Sequence, residues 1–222
     1  MAPFHPRVED LPSEFPVFPL AGALLLPRGK LPLNIFEPRY KALVEDALGL
    51  RRMFGMIQPD ATHPDGPHGA ALFRIGCLGR MSAFSETDDG RYQVTLTGVI
   101  RFAVAAEQEG RRGYRRVRGD LAPFAGDLDL SPKEIAVARD TLLTALRGYF
   151  THRGVEANWD AIKRLSDDNL VTTLAMVCPF EPVEKQALLE AGTAVEQAEM
   201  LLTLLRMGAV GPDTSSGGRA VS

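Results

Sequence analysis

Cysteine is scarce in this chain of 222 residues: Cys77 stands in a strand-like run and Cys178 in a helix-like one. Two cysteines so placed exclude a disulfide framework and read as buried structural thiols in a reducing compartment. Long apolar runs are missing as well. The longest, around Leu24-Leu25-Leu26, is far too short to cross a bilayer, and the start MAPFHPRVEDLPSEFP is broken by prolines and acids where an export signal would be apolar. The chain is therefore expected to work in the cytoplasm without a membrane partner. Positive charge is not in excess either. A formal net charge of -3 argues against a polyanionic ligand, so nucleic acid is disfavoured as the main partner.

What is present is an ordinary globular composition, 45% apolar and 24% charged, in a chain long enough for one large domain or two small ones. The pattern changes near residue 125 and favours two. Before it, short runs rich in apolar residues and bounded by turn formers read as strands: Phe15 to Leu20, Phe54 to Ile57, and Leu72 to Phe84. Asp89-Gly90 sets a hairpin turn before the alternating run Tyr92, Val94, Leu96. Gly98 breaks the alternation as a bulge would, and a second hairpin is expected near Glu109-Gly110. Several short strands in succession suggest a small barrel or sandwich.

One helix is embedded among them. From Pro38, residues Tyr40, Leu43, Val44, Ala47 and Leu48 share a face, and Gly49 is placed to end the helix in a left-handed conformation. Glu37 then falls at the N-cap, its carboxylate expected to face free amide donors. An ionised cap with no second carboxylate or histidine nearby in sequence is architecture rather than a general acid.

After residue 125 the signals are helical. Ser131-Pro132-Lys133-Glu134 is a capping box ahead of the stripe Ile135, Ala138, Leu142, Leu146, Tyr149 and Phe150. Ser166 caps a segment, Leu170 to Cys178, apolar nearly all round and so expected at the centre of a bundle, with Pro179 stopping it. Pro182 opens the next helix, Gly192 closes it, and Thr193-Ala194-Val195-Glu196 is another capping box. The boundaries expected are an extension at 1–14, a β part at 15–125, a helical part at 126–208 and a disordered tail at 209–222.

Four ordered blocks, FPVFPLAGALLLPRGKLPLNIFEPRYKALVEDAL, IGCLGRMSAF, DGRYQVTLTGVIRF and LAMVCPFEPVEKQALLEA, resemble the N-terminal domain of the ATP-dependent protease Lon over roughly residues 15 to 207. The resemblance implies an α+β fold, a small PUA-like β-barrel with one embedded helix followed by a C-terminal helical bundle. It also implies substrate recognition and assembly rather than chemistry. The ATPase and peptidase of Lon have no counterpart motifs. Arg28-Gly29-Lys30-Leu31 lacks the upstream glycine and the following Ser or Thr of a phosphate loop, and in HPDGPHG the place of the peptidase serine is taken by His68. No catalytic residue, cofactor or metal is expected. His63, Asp65 and His68 share a loop, but a structural zinc site needs four ligands and no partner motif accompanies them.

Two partner classes follow. The first is an unfolded or extended polypeptide, or a component of a proteolytic machine, bound by Phe54, Met56, Met81 and Phe84 if they form an exposed, adaptable apolar patch. The second is RNA, gripped by Arg111, Arg112, Tyr114, Arg115 and Arg116 in the stretch RRGYRRVR, as PUA-like barrels of other families do. The negative overall charge and the lack of a second basic strip favour the first.

Overall fold

The computed structural model describes residues 6–131 and 137–209. Its elements run β1 (Glu14–Pro19), β2 (Lys30–Ile35), α1 (Pro38–Gly49), β3 (Met53–Ile57), β4 (Ile75–Glu86), β5 (Tyr92–Arg111) and β6 (Tyr114–Asp120). Then come a 3-10 stretch (Ala122–Leu128), α2 (Arg139–Arg153), α3 (Trp159–Lys163), α4 (Asp167–Val177), α5 (Pro182–Glu190) and α6 (Ala194–Ala209). The expected α+β class holds. Six strands pair in the order β2-β5-β4-β3-β1-β6, and β6 pairs again with β5, so the pairings form a closed circuit with β2 outside it. The β1–β3 pair is parallel and the others are antiparallel. Phe15, Val17, Met53, Ile57, Leu78, Ile100, Phe102 and Val117 pack together as the core, with the Phe15 and Phe102 rings edge-on at 4.9 Å.

Local signals set most of the turns. Gly90 takes φ 75 in the β4–β5 turn, as expected. The bulge also forms: Leu78 pairs with Ile100 but Gly79 pairs with Gly98, leaving Val99 as the extra residue. Glycine is required there because a Cβ on Gly98 would lie 2.0 Å from the Leu26 carbonyl oxygen. The close approach is fixed by Arg28 N–H donating to the Gly98 carbonyl and Gly98 N–H to that of Gly29, both at 2.9 Å. The second hairpin turns three residues later than expected, at Arg112-Gly113, where both residues take positive φ (48 and 87) as a tight two-residue turn demands. Gly110 stays within β5.

Helix α1 starts at Pro38 and buries Tyr40, Leu43, Val44 and Ala47. Its end differs from expectation. Gly49 is helical, and the left-handed residues are Arg51 and Arg52, φ 59 and 60, with Arg52 N–H returning to the Ala47 carbonyl at 2.8 Å. Glu37 occupies the N-cap by its backbone, its carbonyl accepting from Lys41 N–H at 2.9 Å. Its carboxylate binds no amide and turns instead to Arg39, 2.9 Å away.

The described residues form two compact units. One holds 6–131 and Ala175–Glu190; the other holds 137–174 and 191–209. The boundary expected at 125 is thus displaced, for two polar reasons. In the 3-10 stretch Asp127 accepts from Arg101 backbone N, Nε and Nη2 at 2.9–3.0 Å, which ties that stretch to β5. Helix α5 is held likewise. Gln58 Nε2 donates to the Pro182 carbonyl at 2.9 Å and to Gln186 Oε1 at 3.2 Å, and Gln186 Nε2 donates to the Ile75 carbonyl at 3.0 Å. Lys185 Nζ reaches the Gly22 carbonyl at 2.8 Å. Gln58, Lys185 and Gln186 are all buried, so these bonds form away from competing water.

In the second unit α2 buries Leu142, Leu146, Tyr149 and Phe150, and α6 buries Ala198, Leu201 and Leu205. The Thr193/Glu196 capping box forms as expected, with Glu196 N–H on Thr193 Oγ1 at 3.1 Å and Thr193 N–H on Glu196 Oε2 at 3.2 Å. Ala138 is exposed and lies outside the stripe it was assigned to. The short α3 was not anticipated; Asn158 caps it through Ala161 N–H at 3.0 Å. Helix α4 is not buried all round: Leu170, Val171, Leu174, Ala175 and Cys178 are buried while Val177 is 64% exposed, and the division between the units falls within it. The Pro132–Ile135 part of the expected capping box and stripe, and the tail from 210, lie outside the described residues.

Candidate functional site

Strand β3 decides the fate of the expected apolar patch. It lies between β1 and β4, with Met53 and Ile57 facing the core. Its other face carries Phe54 and Met56 and meets the side of the sheet that α1 covers; Phe18, which pairs with Met56, stacks on Tyr40 of α1 at 4.0 Å. Phe54 and Met56 are therefore core residues, 0% and 2% exposed, and Met81 is buried as well. All three are corrected from surface to interior: both faces of β3 are covered, and Met81, on β4, is buried beside its cross-strand partner Leu96. Phe84 remains outside at 42% exposed.

The exposed residue belongs to a larger feature. Strand β3 pairs with β4 only from Cys77 to Arg80, and Ser82–Glu86 continue beyond it with β5 as their one strand partner among the described residues, all five exposed. Phe84 stands edge-on to Tyr92 at 5.2 Å, and Phe36, just past β2, is 63% exposed with the Arg91 guanidinium 5.9 Å from its ring. Lys41 of α1 braces this end, its Nζ on the Gly90 carbonyl at 2.7 Å and 4.6 Å from the Tyr92 ring. Aromatic side chains offer apolar contact, and the open strand end beside them offers main-chain hydrogen bonding. On the other face of the same hairpin, Arg80, Ser82, Thr97 and Val99 wall a groove of about 360 Å³ completed by Arg28, Leu128 and Leu130.

The basic hairpin is occupied by acids from elsewhere in the chain. Arg112 binds Glu45 at 2.6 Å and Asp46 at 2.9 Å, Arg111 lies 3.3 Å from Asp46, Arg115 grips Glu107 at 2.7 Å, and Arg116 lies 3.5 Å from Glu14. Tyr114 is buried with its hydroxyl on Asp46 at 2.6 Å. Burial, then that hydrogen bond, pushes the Tyr114 hydroxyl up to about 12, while Asp46 is held below its ordinary value chiefly by the same bond. The geometry gives no support to an RNA-gripping role for Arg111, Arg112, Tyr114, Arg115 and Arg116. These cations are each paired with an acid of the same chain, and the one ring that would stack on a base is buried.

Other chemistry-bearing residues are structural in their geometry. Cys77 and Cys178 are buried free thiols, and burial raises both, Cys178 to about 12, away from nucleophilic use. His63 Nδ1 pairs with Asp60 Oδ2 at 2.6 Å within its own loop. Among the described residues no group of three His, Cys, Asp or Glu could hold a metal, and no helix is long and apolar enough to cross a membrane.

The chain is 27% identical over 96 residues to a Lon protease of Anaeromyxobacter dehalogenans (43% of this chain, 11% of that protein). It is 24% identical over 204 residues to one of Cytophaga hutchinsonii (89% and 24%). It thus spans a quarter or less of the length of these relatives. Its fold is like that of a Lon N-terminal domain protein from Xanthomonas campestris, with a TM-score of 0.55 and 22% identity over 86% of this chain and 97% of that one. The N-terminal domain of a Mycobacterium avium complex Lon protease scores 0.54 at 14% identity, over 88% and 97%. The family model for the ATP-dependent protease La (LON) substrate-binding domain matches residues 14–207, and the chain belongs to that family.

Proposed function

We propose that this chain is a non-enzymatic polypeptide-binding module that recognises unfolded or extended segments for a proteolytic machine. The observation that carries the reading is the match of a substrate-binding domain family to residues 14–207. The site geometry supports it: aromatic side chains at an open strand end, on a surface where the basic hairpin is spent on internal acids. The closed circuit of strand pairings supports the finer reading of the β part as a small PUA-like barrel. Two buried thiols suit work in the cytoplasm.

The test is an equilibrium titration with fluorescein-labelled, reduced and carboxymethylated α-lactalbumin, an obligately unfolded chain, set against the same protein in its native form. Saturable binding of the unfolded form alone is expected. Equal binding of both forms, or of neither, would contradict the proposal.

A further inference from the structure

We infer that the outer edge of β4, from Ser82 to Glu86, is a strand-addition site at which an extended polypeptide segment pairs main chain to main chain; this rests on the polypeptide-binding reading above. The lane beside that edge is the one β3 would fill had it begun six residues earlier. It is vacated abruptly. Met81 N–H donates to the Arg52 carbonyl at 2.8 Å, and there the chain leaves the lane through Arg51 and Arg52, two successive non-glycine residues in the left-handed region. Such a conformation is unfavourable for side-chain-bearing residues, and its effect here is to leave five strand residues open. Among the described residues no other segment bonds to the backbone of Ser82–Glu86 outside the β5 ladder.

The sheet has a second open edge, and the contrast between the two is informative. Strand β2 carries Pro32 and Lys30, residue types that discourage a further strand. Ser82, Ala83, Phe84, Ser85 and Glu86 include neither proline nor lysine, and they present Phe84 to solvent. Another extended segment matches, group for group, backbone donors and acceptors alternating at this spacing. Charge adds a direction: exposed Arg52 at one end and Glu86 at the other have no ion-pair partner among the described residues. They suit an apolar segment with an acidic residue toward Arg52 and a basic one toward Glu86. A second copy of this chain is the lesser occupant, because an edge of five residues, about 17 Å long, falls far short of the area that a stable dimer buries.

Amide hydrogen exchange on the whole chain, with and without reduced carboxymethylated α-lactalbumin, tests the site. Slowed exchange centred on Ser82–Glu86 is expected, with β2 unchanged. Phe84→Lys, which guards the edge, should weaken binding about tenfold or more, while Asn34→Lys on the β2 edge should not. Binding with protection elsewhere and full affinity in Phe84→Lys would overturn the site and leave the polypeptide reading standing. Failure to bind at all would overturn both. A concentration-dependent dimer that hides Ser82–Glu86 would assign the edge to a second copy and overturn the choice of occupant. Should Phe84→Lys unfold, the exchange map of the unaltered chain decides alone.

Discussion

Glu37 holds the N-cap of α1 through its backbone, and its carboxylate spends itself on a half-exposed arginine two residues away. Glu37→Ala should therefore change stability by less than about 0.5 kcal/mol in chemical denaturation, as a surface pair does, rather than the ~1 kcal/mol of a lost cap. Asp127 is the opposite case. Its removal strands the nearly buried Arg101, so Asp127→Ala should cost about 3 kcal/mol by the same measurement. Asp46 makes stability depend on pH with a definite sign. Its carboxyl is held below the ordinary 3.8, so its contribution is present above 3.8 and lost as pH falls through the lower folded value. Between about pH 5 and about pH 2 the unaltered chain should lose more stability than Asp46→Asn does. Pro38, Gly90 and the Thr193/Glu196 box were legible in the sequence because their causes lie within four residues. The pairing of Arg112 with Asp46 was not, since 66 positions separate them.

At the scale of elements, period and turn chemistry located most of the strands and helices and failed where tertiary contact decides. MFGMIQ carries apolar residues on both faces, which fits either an exposed patch or a doubly covered strand, and only the placement of α1 and the core separates the two. Helix α5 reads as part of a helical run, yet Gln58, Lys185 and Gln186 tie it to the β-rich unit. Its amides should accordingly exchange with those of β5 as one cooperative unit. Gln186→Ala, which leaves the Ile75 carbonyl and Gln58 short of partners, should raise exchange across α5 and cost about 2 kcal/mol. Exchange in α5 unaffected by that change would show the bonds to be incidental. The open end of β4 was half legible: Phe84 was singled out, but the vacated lane depends on where β3 stops, and two arginines rather than a glycine make that turn.

For the whole molecule, the function proposed is recognition without turnover, and it rests on the match to a substrate-binding domain family. The purified chain should neither hydrolyse ATP nor degrade casein, in assays carried through stringent purification and compared with a mock preparation. The ligand proposed is polypeptide, held by apolar and main-chain contacts. Those contacts weaken little with salt, whereas phosphate contacts weaken steeply. The most direct measurement is a competition titration in which unfolded carboxymethylated α-lactalbumin and single-stranded RNA contend for the chain at low and at high ionic strength. The polypeptide is expected to be bound at both, with no displacement by RNA. Displacement by RNA at low salt, with binding that collapses at high salt, would contradict the proposal.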